Sequence, residues 1–552
     1  MTITPPTSPR WTVSDSTRAS IDAVFAGFTN TTPGVAMAIY RGGEIAYANG
    51  YGMSNLEHNV PITPSSIFHV ASISKQFTAM CIALLQDDGL LDVDDPVQKY
   101  IPELPTYEYP ITIRHLIHHA SGIRDHWMLL DLSGWREDDL VTMADCYDLV
   151  RRQQELNFTP NDRFMYSNAG YMLLAMIVEK VSGKSLREFA HERIFAPLGM
   201  TRTHFHDDHS EIVPGRTQAY KPRTGGGYRV SIPQFDVVGT TSLQTTVEDF
   251  AKWNAIFESP TICSAEMLAQ AQTPGTFNSG EPMAYGWGLF LEEWCGQRRV
   301  WHSVSNHGYR AYYFRLPNLD FGITVFANLS TVAPDQLAAR VARIVLGDLL
   351  QEDSDAEIST TEHSDIVMVD PAAMVGVYLA DNPTDNEPPL HVQLDEEDSE
   401  LIMPFGRESV SLPLADDGRF QLWSGFGSCW AMEIDDSGIV QKICVQLPAT
   451  RETYSRLDTS SARRNITSFA GTYYAPELDI SIQLVEDATS GRLSWRQRKQ
   501  EDRSVVLLDT NTLGMGSLDA SIRLEFSFDE NDMPTEFRFS ADRVKNLLFV
   551  RQ

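Results

Sequence analysis

No stretch of about 18 consecutive apolar residues occurs in this chain, which argues against an ordinary membrane-spanning helix. The longest greasy segment, YMLLAMIV at 171–178, has only core-helix length. Basic residues are scarce: 44 Lys and Arg stand against 74 Asp and Glu, a formal net charge of −30, so a nucleic-acid backbone or an anionic membrane surface would be repelled. Cysteine is scarce too. Cys81, Cys146, Cys263, Cys295, Cys429 and Cys444 lie far apart with no C-x-x-C pair, which argues against a zinc site or disulfide framework and for reduced, mostly buried thiols. The opening MTITPPTSPRWTVSD lacks the basic start and apolar segment of a secretory signal. The expectation is a cytoplasmic protein with no nucleic-acid and no membrane partner.

What is present is globular. With 552 residues, 42% hydrophobic and 21% charged, the chain has the length of two or three domains. Helical and strand patterns mix up to residue 350, and QEDSDAEISTTEHSD (351–365) then runs acidic and Ser/Thr-rich, as a linker does. Beyond it LHVQL (390–394), ISIQL (480–484) and IRLEFSF (522–528) alternate apolar with polar residues between turn residues, the signature of a sandwich or barrel. MVGVYL around Gly376 and Tyr378 resembles FAGTYY around Gly471 and Tyr473, a sign of internal duplication. The expected division is a chemistry-bearing domain at 1–350, the acidic linker at 351–365, and two β-barrel domains at 366–460 and 461–552, with a second linker near DTSSARRN (458–465).

The chemistry lies in the first of these. GVAMAIYR (34–41) and EIAYANGYG (44–52) predict a hairpin around Gly42 and Gly43. FHVASISKQFTAM (68–80) then turns an apolar run into a helix that begins near Ser72 and ends at Gly89. Residues three apart share a helical face while neighbours diverge by about 100°, so Lys75 faces Ser72 and not Ser74. A hydroxyl at a helix start is flanked by free N–H groups, which suits a serine whose acylated form must stabilise an oxyanion. Alone, S-x-x-K reads first as an N-cap serine beside a snorkelling surface lysine. A second polar knot follows in FTPNDRFMYSNAGYMLLAMIVEKVSG (158–183), where Tyr166 and Asn168 project from a loop ahead of an amphipathic helix. Alone, these are a packed aromatic and a helix cap.

Together, Ser72-x-x-Lys75 followed by Tyr166-x-Asn168 resembles the serine β-lactamase and penicillin-binding-protein superfamily, most closely its D-aminopeptidase and class C-like members. The resemblance covers Thr32 to Asn328 and includes HHASGIRDHW (118–127), IFAPLGMTRTHF (194–205), GTTSLQTTVEDFAKW (239–253) and YGWGL (285–289). It implies an α+β fold: a catalytic domain with an antiparallel sheet and flanking helices, followed by two small antiparallel β-barrel (lipocalin-like) domains. It implies Ser72 as the acylated nucleophile and Lys75 as its base, a lysine whose charged form is disfavoured in an apolar pocket. Tyr166 would relay the proton to the leaving group and help activate the deacylating water, while Asn168 would orient the acyl amide and Lys75. Neither a cofactor nor a metal is called for.

The family's third motif is Lys-Thr-Gly or His-x-Gly on a strand. In VWHSVSNHGYRAYYFRLPNLDFGITVFANLS (300–330) the resemblance places His302-Ser303-Val304 there, with His307-Gly308-Tyr309 as the rival register. In the first register His302 contacts substrate and the backbone N–H of Ser305 joins that of Ser72 in an oxyanion hole. Val304 replaces the family's glycine, which tightens or obstructs the approach of substrate. HFHDDH (204–209) has metal-binding residue types without a standard spacing and reads as a solvated polar loop.

The expected function is a serine hydrolase acting on a small molecule or short peptide, with D-stereospecific aminopeptidase-like activity as the leading reading. Loss of a cationic lysine from the third motif removes a strong binder of a free C-terminal carboxylate, which disfavours D,D-peptidase activity. The alternatives are an esterase or acyltransferase of the same fold, and a catalytically weak scaffold that binds a partner. A homodimer is compatible with any of these. The C-terminal strands hold none of the three motifs and are expected to carry a loop covering the cleft, where Glu477 and Asp479 are either carboxylates for a substrate ammonium or part of a solvated turn.

Overall fold

The computed structural model describes residues 11–223, 225–351, 367, 369–380, 390–394, 401–405, 408–412, 420–422, 427–446, 451–456, 465–486, 493–500, 502–508, 510–515 and 522–552. Apart from Gln351 and Asn465, both expected linkers lie outside these residues. Two compact units are formed, one from Met1–Trp127 with Glu137–Asp353, the other from Met128–Arg136 with Ser354–Gln552. No helix among the described residues is long and apolar enough to cross a membrane.

The first unit is organised on an antiparallel sheet of β1 (Val35–Arg41), β2 (Glu44–Tyr51), β3 (Phe290–Trp294), β4 (Gln297–Asn306), β5 (Tyr309–Leu316) and β6 (Phe321–Ala327), in the order β3-β4-β5-β6-β1-β2. Gly42 and Gly43 take φ of 57° and 77° in the β1–β2 turn, the left-handed pair that a tight hairpin needs and that L side chains resist. Five helices matter for the site: α1 (Asp15–Val24), α2 (Ser74–Asp87), α3 (Asn168–Ser182), α4 (Val247–Ala255) and α5 (Pro334–Leu346). Alternate residues of β1, namely Val35, Met37 and Ile39, join Ile323, Val325, Phe25 and Val341 in a core under α1 and α5. On the opposite face α4 packs on β1, β2 and β6, and the Tyr40 hydroxyl donates to Val247 O at 2.8 Å. Both faces are therefore covered, which explains why GVAMAI reads as a continuous apolar run and not as an alternation. Helices α2 and α3 pack on each other and carry two of the residues predicted for the site, Lys75 and Asn168.

In the second unit a closed eight-stranded antiparallel barrel runs from Gly471–Ala475 to Leu547–Arg551. Met128–Arg136 packs on it through Asp131, whose carboxylate takes Arg503 Nη2 at 3.0 and 3.1 Å and whose carbonyl accepts from Gln497 at 2.7 Å. An eight-stranded antiparallel sheet lies earlier in the chain, with Gly376–Ala380 paired to Arg451–Arg456. The two Gly-x-Tyr segments open these sheets in the same way. The Tyr378 hydroxyl donates to Met374 O, and that of Tyr473 to Phe469 O, each at 2.8 Å. Opposite each tyrosine stands an arginine of the last strand, Arg456 or Arg551, which donates to Val375 O at 2.8 Å or to Ala470 O at 3.0 Å. A Cβ on Gly376 would meet Arg456 Nη1 at 2.1 Å, so glycine is what lets the guanidinium cross that strand.

Tyr378→Phe and Tyr473→Phe each remove a buried hydroxyl donor from a turn carbonyl. Each is expected to cost about 1 kcal/mol, seen as a lower urea midpoint of its sheet with an unchanged slope. An unchanged midpoint would show that the ring holds the turn by packing alone.

Candidate active site

The sequence pattern predicts a helix from Ser72, but α2 starts at Ser74 and Ser72 lies in a 3-10 turn, Ala71–Ile73, that precedes it. Ala71 enters this turn at a left-handed φ of 37°, a conformation that costs a non-glycine residue about 1–3 kcal/mol. The three-residue offset survives the change, because Lys75 in the first turn of α2 brings Nζ to 3.1 Å from Ser72 Oγ. Ser72 is half-buried. Ser74 is fully buried and committed to the backbone, donating to Ala71 O and accepting from Leu243 N at 3.0 Å.

Lys75 is fully buried, and three oxygens meet its Nζ: Ser72 Oγ, Asn168 Oδ1 at 2.9 Å and Thr240 O at 2.8 Å. Asn168 is not a cap but the first residue of α3, following Ser167 at the N-cap. Its N–H and Nδ2 donate to Asp125 Oδ2 at 2.7 and 2.8 Å. That carboxylate sets the amide's orientation, leaving Oδ1 to accept from Lys75 and from Thr240 Oγ1 at 2.7 Å. Gly288 lies against the backbone of α2 at φ 75°, where a Cβ would meet Gln76 N at 2.4 Å and Lys75 C at 2.6 Å. The second glycine of YGWGL is thus required by contact with the lysine's own main chain.

Tyr166 presents its ring to Lys75 Nζ, 4.7 Å from the centroid, and packs on His119 at 4.1 Å and His302 at 6.2 Å. His302, on β4, is buried; its Nδ1 lies 2.8 Å from Ser303 O and its Nε2 3.4 Å from the Tyr285 hydroxyl. Burial, and after it the charge of Lys75, push the His302 imidazole down to about 3, so this ring is neutral near pH 7. Val304 is buried on the same strand face, and Ser305 is exposed. Among the described residues β4 pairs from His302 onward with β5 alone, and β4 packs against the Ser72 turn. Asn306 and Tyr309 close a two-residue hairpin with His307 at φ 50°. The closing pair exchanges its backbone hydrogen bonds, so the N–H of Ser305, one residue earlier, points to the edge that β3 has left. The rival register falls on the hairpin tip, where His307 Nε2 faces Glu137 O at 3.3 Å.

HFHDDH is a solvated loop only in its second half, where Asp208 and His209 are exposed. His204–Phe205 is a short strand paired with Leu243 and Gln244, and His206 is only 6% exposed.

A family model described as Beta-lactamase matches residues 21–347, more than half of the chain. The chain belongs to the beta-lactamase family. It is 25% identical over 495 residues to the D-aminopeptidase of Gluconobacter oxydans (strain 621H), which covers 87% of this chain and 88% of that protein. It is 31% identical over 288 residues to penicillin-binding protein 4* of Bacillus subtilis (strain 168), covering 49% of this chain and 62% of that protein. The octameric penicillin-binding protein homologue from Pyrococcus abyssi superposes with a TM-score of 0.55 at 24% identity, over 79% of this chain and 99% of that one, a likeness of fold. Family and relatives point to a serine hydrolase of the beta-lactamase and penicillin-binding-protein fold.

In this member of the beta-lactamase family Ser72, Lys75 and Asn168 are in direct hydrogen-bond contact, Tyr166 and His302 join them by ring packing, and Ser305 stands on the strand beside the serine turn. Sequence reasoning missed Asp125, Thr240 and Gly288 as parts of the cluster, although HHASGIRDHW, GTTSLQ and YGWGL contain them. Nothing in the residue types singles them out, since Thr240 serves through a carbonyl and Gly288 through the lack of a side chain.

Ser74→Ala would leave the Leu243 N–H without its acceptor in a dry interior. A loss of about 1–3 kcal/mol is expected, measured as a fall in Tm. An unchanged Tm would show that the Leu243 amide finds another partner.

Proposed function

We propose that this chain forms an acyl-enzyme at Ser72 and hydrolyses small amides and short peptides, preferring a free amino group on a D-residue. The observation that carries the reading is the set of oxygens around Lys75 Nζ. Asn168 Oδ1 and Thr240 O take two N–H bonds, and the remaining direction leads to Ser72 Oγ. A neutral amine held in this way can turn its lone pair to the serine hydroxyl. Lys75 takes the proton as Oγ attacks the substrate carbonyl. The oxyanion so formed is received by the backbone N–H groups of Ser72 and Ser305. Tyr166 passes a proton to the leaving amine, the C–N bond breaks, and the acyl group remains on Ser72. A water then attacks the acyl carbon, giving a proton to the Lys75–Tyr166 pair, which returns it to Ser72 Oγ as the acyl C–Oγ bond breaks and the acid leaves.

In this reading Asn168 orients Lys75 and the acyl amide, neutral His302 lines the third-motif strand, and Val304 narrows the approach. Support for an aminopeptidase-type substrate comes from the D-aminopeptidase alignment, which extends over 88% of that protein, and from a third motif without a cation to hold a substrate carboxylate. The chemistry resides in residues 1–350, and the strand-rich regions at 366–460 and 461–552 supply no catalytic group. Six cysteines outside any disulfide, five of them buried, support a cytoplasmic setting.

Labelling with a fluorophosphonate, read by intact-protein mass spectrometry, should give one adduct in the unmodified chain and in Ser74→Ala and none in Ser72→Ala. An adduct that survives Ser72→Ala but disappears in Ser74→Ala would overturn the assignment. With D-alanine p-nitroanilide as substrate, Lys75→Arg should keep the charge yet lose about 100-fold or more in acylation rate, because a guanidinium cannot accept the proton. A near-normal rate in Lys75→Arg would give the base role to another group.

A further inference from the structure

A cavity of about 50 Å³ lies beside the paired segments Phe68–His69 and Gln244–Thr245, and none of the residues proposed for acyl transfer lines it. Three side chains of its wall each have a buried polar atom without a hydrogen bond: His69 Nδ1, Gln244 Oε1 and His206 Nδ1, the last of which faces the Glu211 carboxylate at 3.6 Å. These residues are 5%, 2% and 6% exposed. An unpaired buried polar group costs about 1–3 kcal/mol, so three around one cavity mark a place for a polar guest. A single water needs roughly 10–15 Å³. The space therefore suits a few waters or one group the size of a carboxylate or phosphate.

Charge decides between guests. Arg216 also lines the cavity, and its Nη1 donates to His206 Nε2 at 3.2 Å, which places the proton of the neutral imidazole on Nδ1. Among the described residues no carboxylate pairs with Arg216. The nearby carboxylates have partners of their own: Glu211 is forked by Arg187 at 2.7 and 2.8 Å, Asp236 accepts from the backbone N–H of His209 at 2.6 Å, and Glu137 accepts from Lys221 at 2.8 Å. Burial first, and then His307, His206 and Arg216, hold the His69 imidazole down at about 3. The groups that converge on His69 are thus cationic or able to become so. Gln244 offers an amide whose nitrogen and oxygen exchange places by rotation.

A cation is the rival guest, because His204, His206 and Glu211 have ligand atoms within 4.8 Å of one another. Of that cluster only His206 lines the cavity, and Arg187 already forks Glu211, so a metal held there would sit beside the cavity and not in it. We propose that this cavity is a binding site for a small oxyanion, either a carboxylate or inorganic phosphate, held by Arg216, which His206 positions, and by the N–H of His69.

The test uses the full chain labelled with 13C at histidine Cε1 and titrated with sodium phosphate or with sodium acetate at constant ionic strength. The His69 and His206 resonances, assigned with His69→Gln and His206→Gln, should shift saturably with at least one anion, and Tm should rise with the same concentration dependence. Both responses should be lost in Arg216→Gln and kept in Arg229→Gln, a change on the exposed Tyr228–Val230 strand. A response to phosphate alone assigns an inorganic oxyanion, and a response to acetate alone assigns a carboxylate. Resonances that move with neither anion overturn the proposal, as does an undiminished response in Arg216→Gln. A shift with zinc chloride where neither anion acts overturns it in favour of a metal. No step reads hydrolysis, so the outcome is independent of the chemistry at Ser72.

Discussion

A lysine amine buried to 0% exposure must find oxygens, and the first unit is arranged around that demand. The three oxygens that meet Lys75 Nζ come from the turn before α2, from the start of α3 and from the segment leading to Leu243–Thr245. A fourth stretch enters one bond further out, where Asp125 accepts twice from Asn168 and so fixes which end of that amide faces the lysine. No single element holds the amine. Displacing any one of the four leaves a buried donor or acceptor without its partner, a cost of about 1–3 kcal/mol each time, so the cluster exists only in the complete fold.

Some of this was legible in the residues. The face shared by Ser72 and Lys75 follows from helical periodicity, and it persists although the serine sits in a 3-10 turn. The turn itself was not legible, because the chain enters it through a left-handed Ala71, a conformation that local pattern does not predict for a non-glycine residue. Tyr166 and Asn168 acquired meaning from their order after S-x-x-K, whereas Asp125 and Thr240 act through contacts that span 43 and 72 residues to Asn168. Local pattern carries no information at that range. The H-x-H segment was misread because a two-residue strand is too short to show an alternation, and its burial comes from pairing with Leu243 and Gln244.

The duplicated Gly-x-Tyr shows the same limit from the other side. Its glycine and tyrosine are close in sequence and were visible as a repeat, but the arginine that explains the glycine lies 81 residues from its acceptor carbonyl in each copy. Once Arg456 and Arg551 are placed, the two matching residues become a three-residue device in which tyrosine ties down the preceding turn, glycine clears a path and arginine closes the sheet over it. In the first copy a Cβ at Gly376 would displace the guanidinium that it meets at 2.1 Å.

The free edge of β4 bears on the proposed chemistry in the same physical terms. An unpaired strand edge is a liability that proteins ordinarily cover, charge or shorten. Here β3 ends its pairing at Trp301, and among the described residues the stretch from His302 to Asn306 pairs only with β5. Extending β3 by a few residues would satisfy the edge, and it would also consume the outward N–H of Ser305, the donor that the proposed oxyanion needs within reach of the Ser72 turn. The exposed stretch is short and lies against that turn, so the edge stays open where a carbonyl has to dock. Val304 is buried on the face it shares with His302, so its added bulk leaves the direction of the Ser305 amide unchanged. In this arrangement the substitution acts on the shape of what can approach, and the hydrogen-bond donors of the third motif are retained.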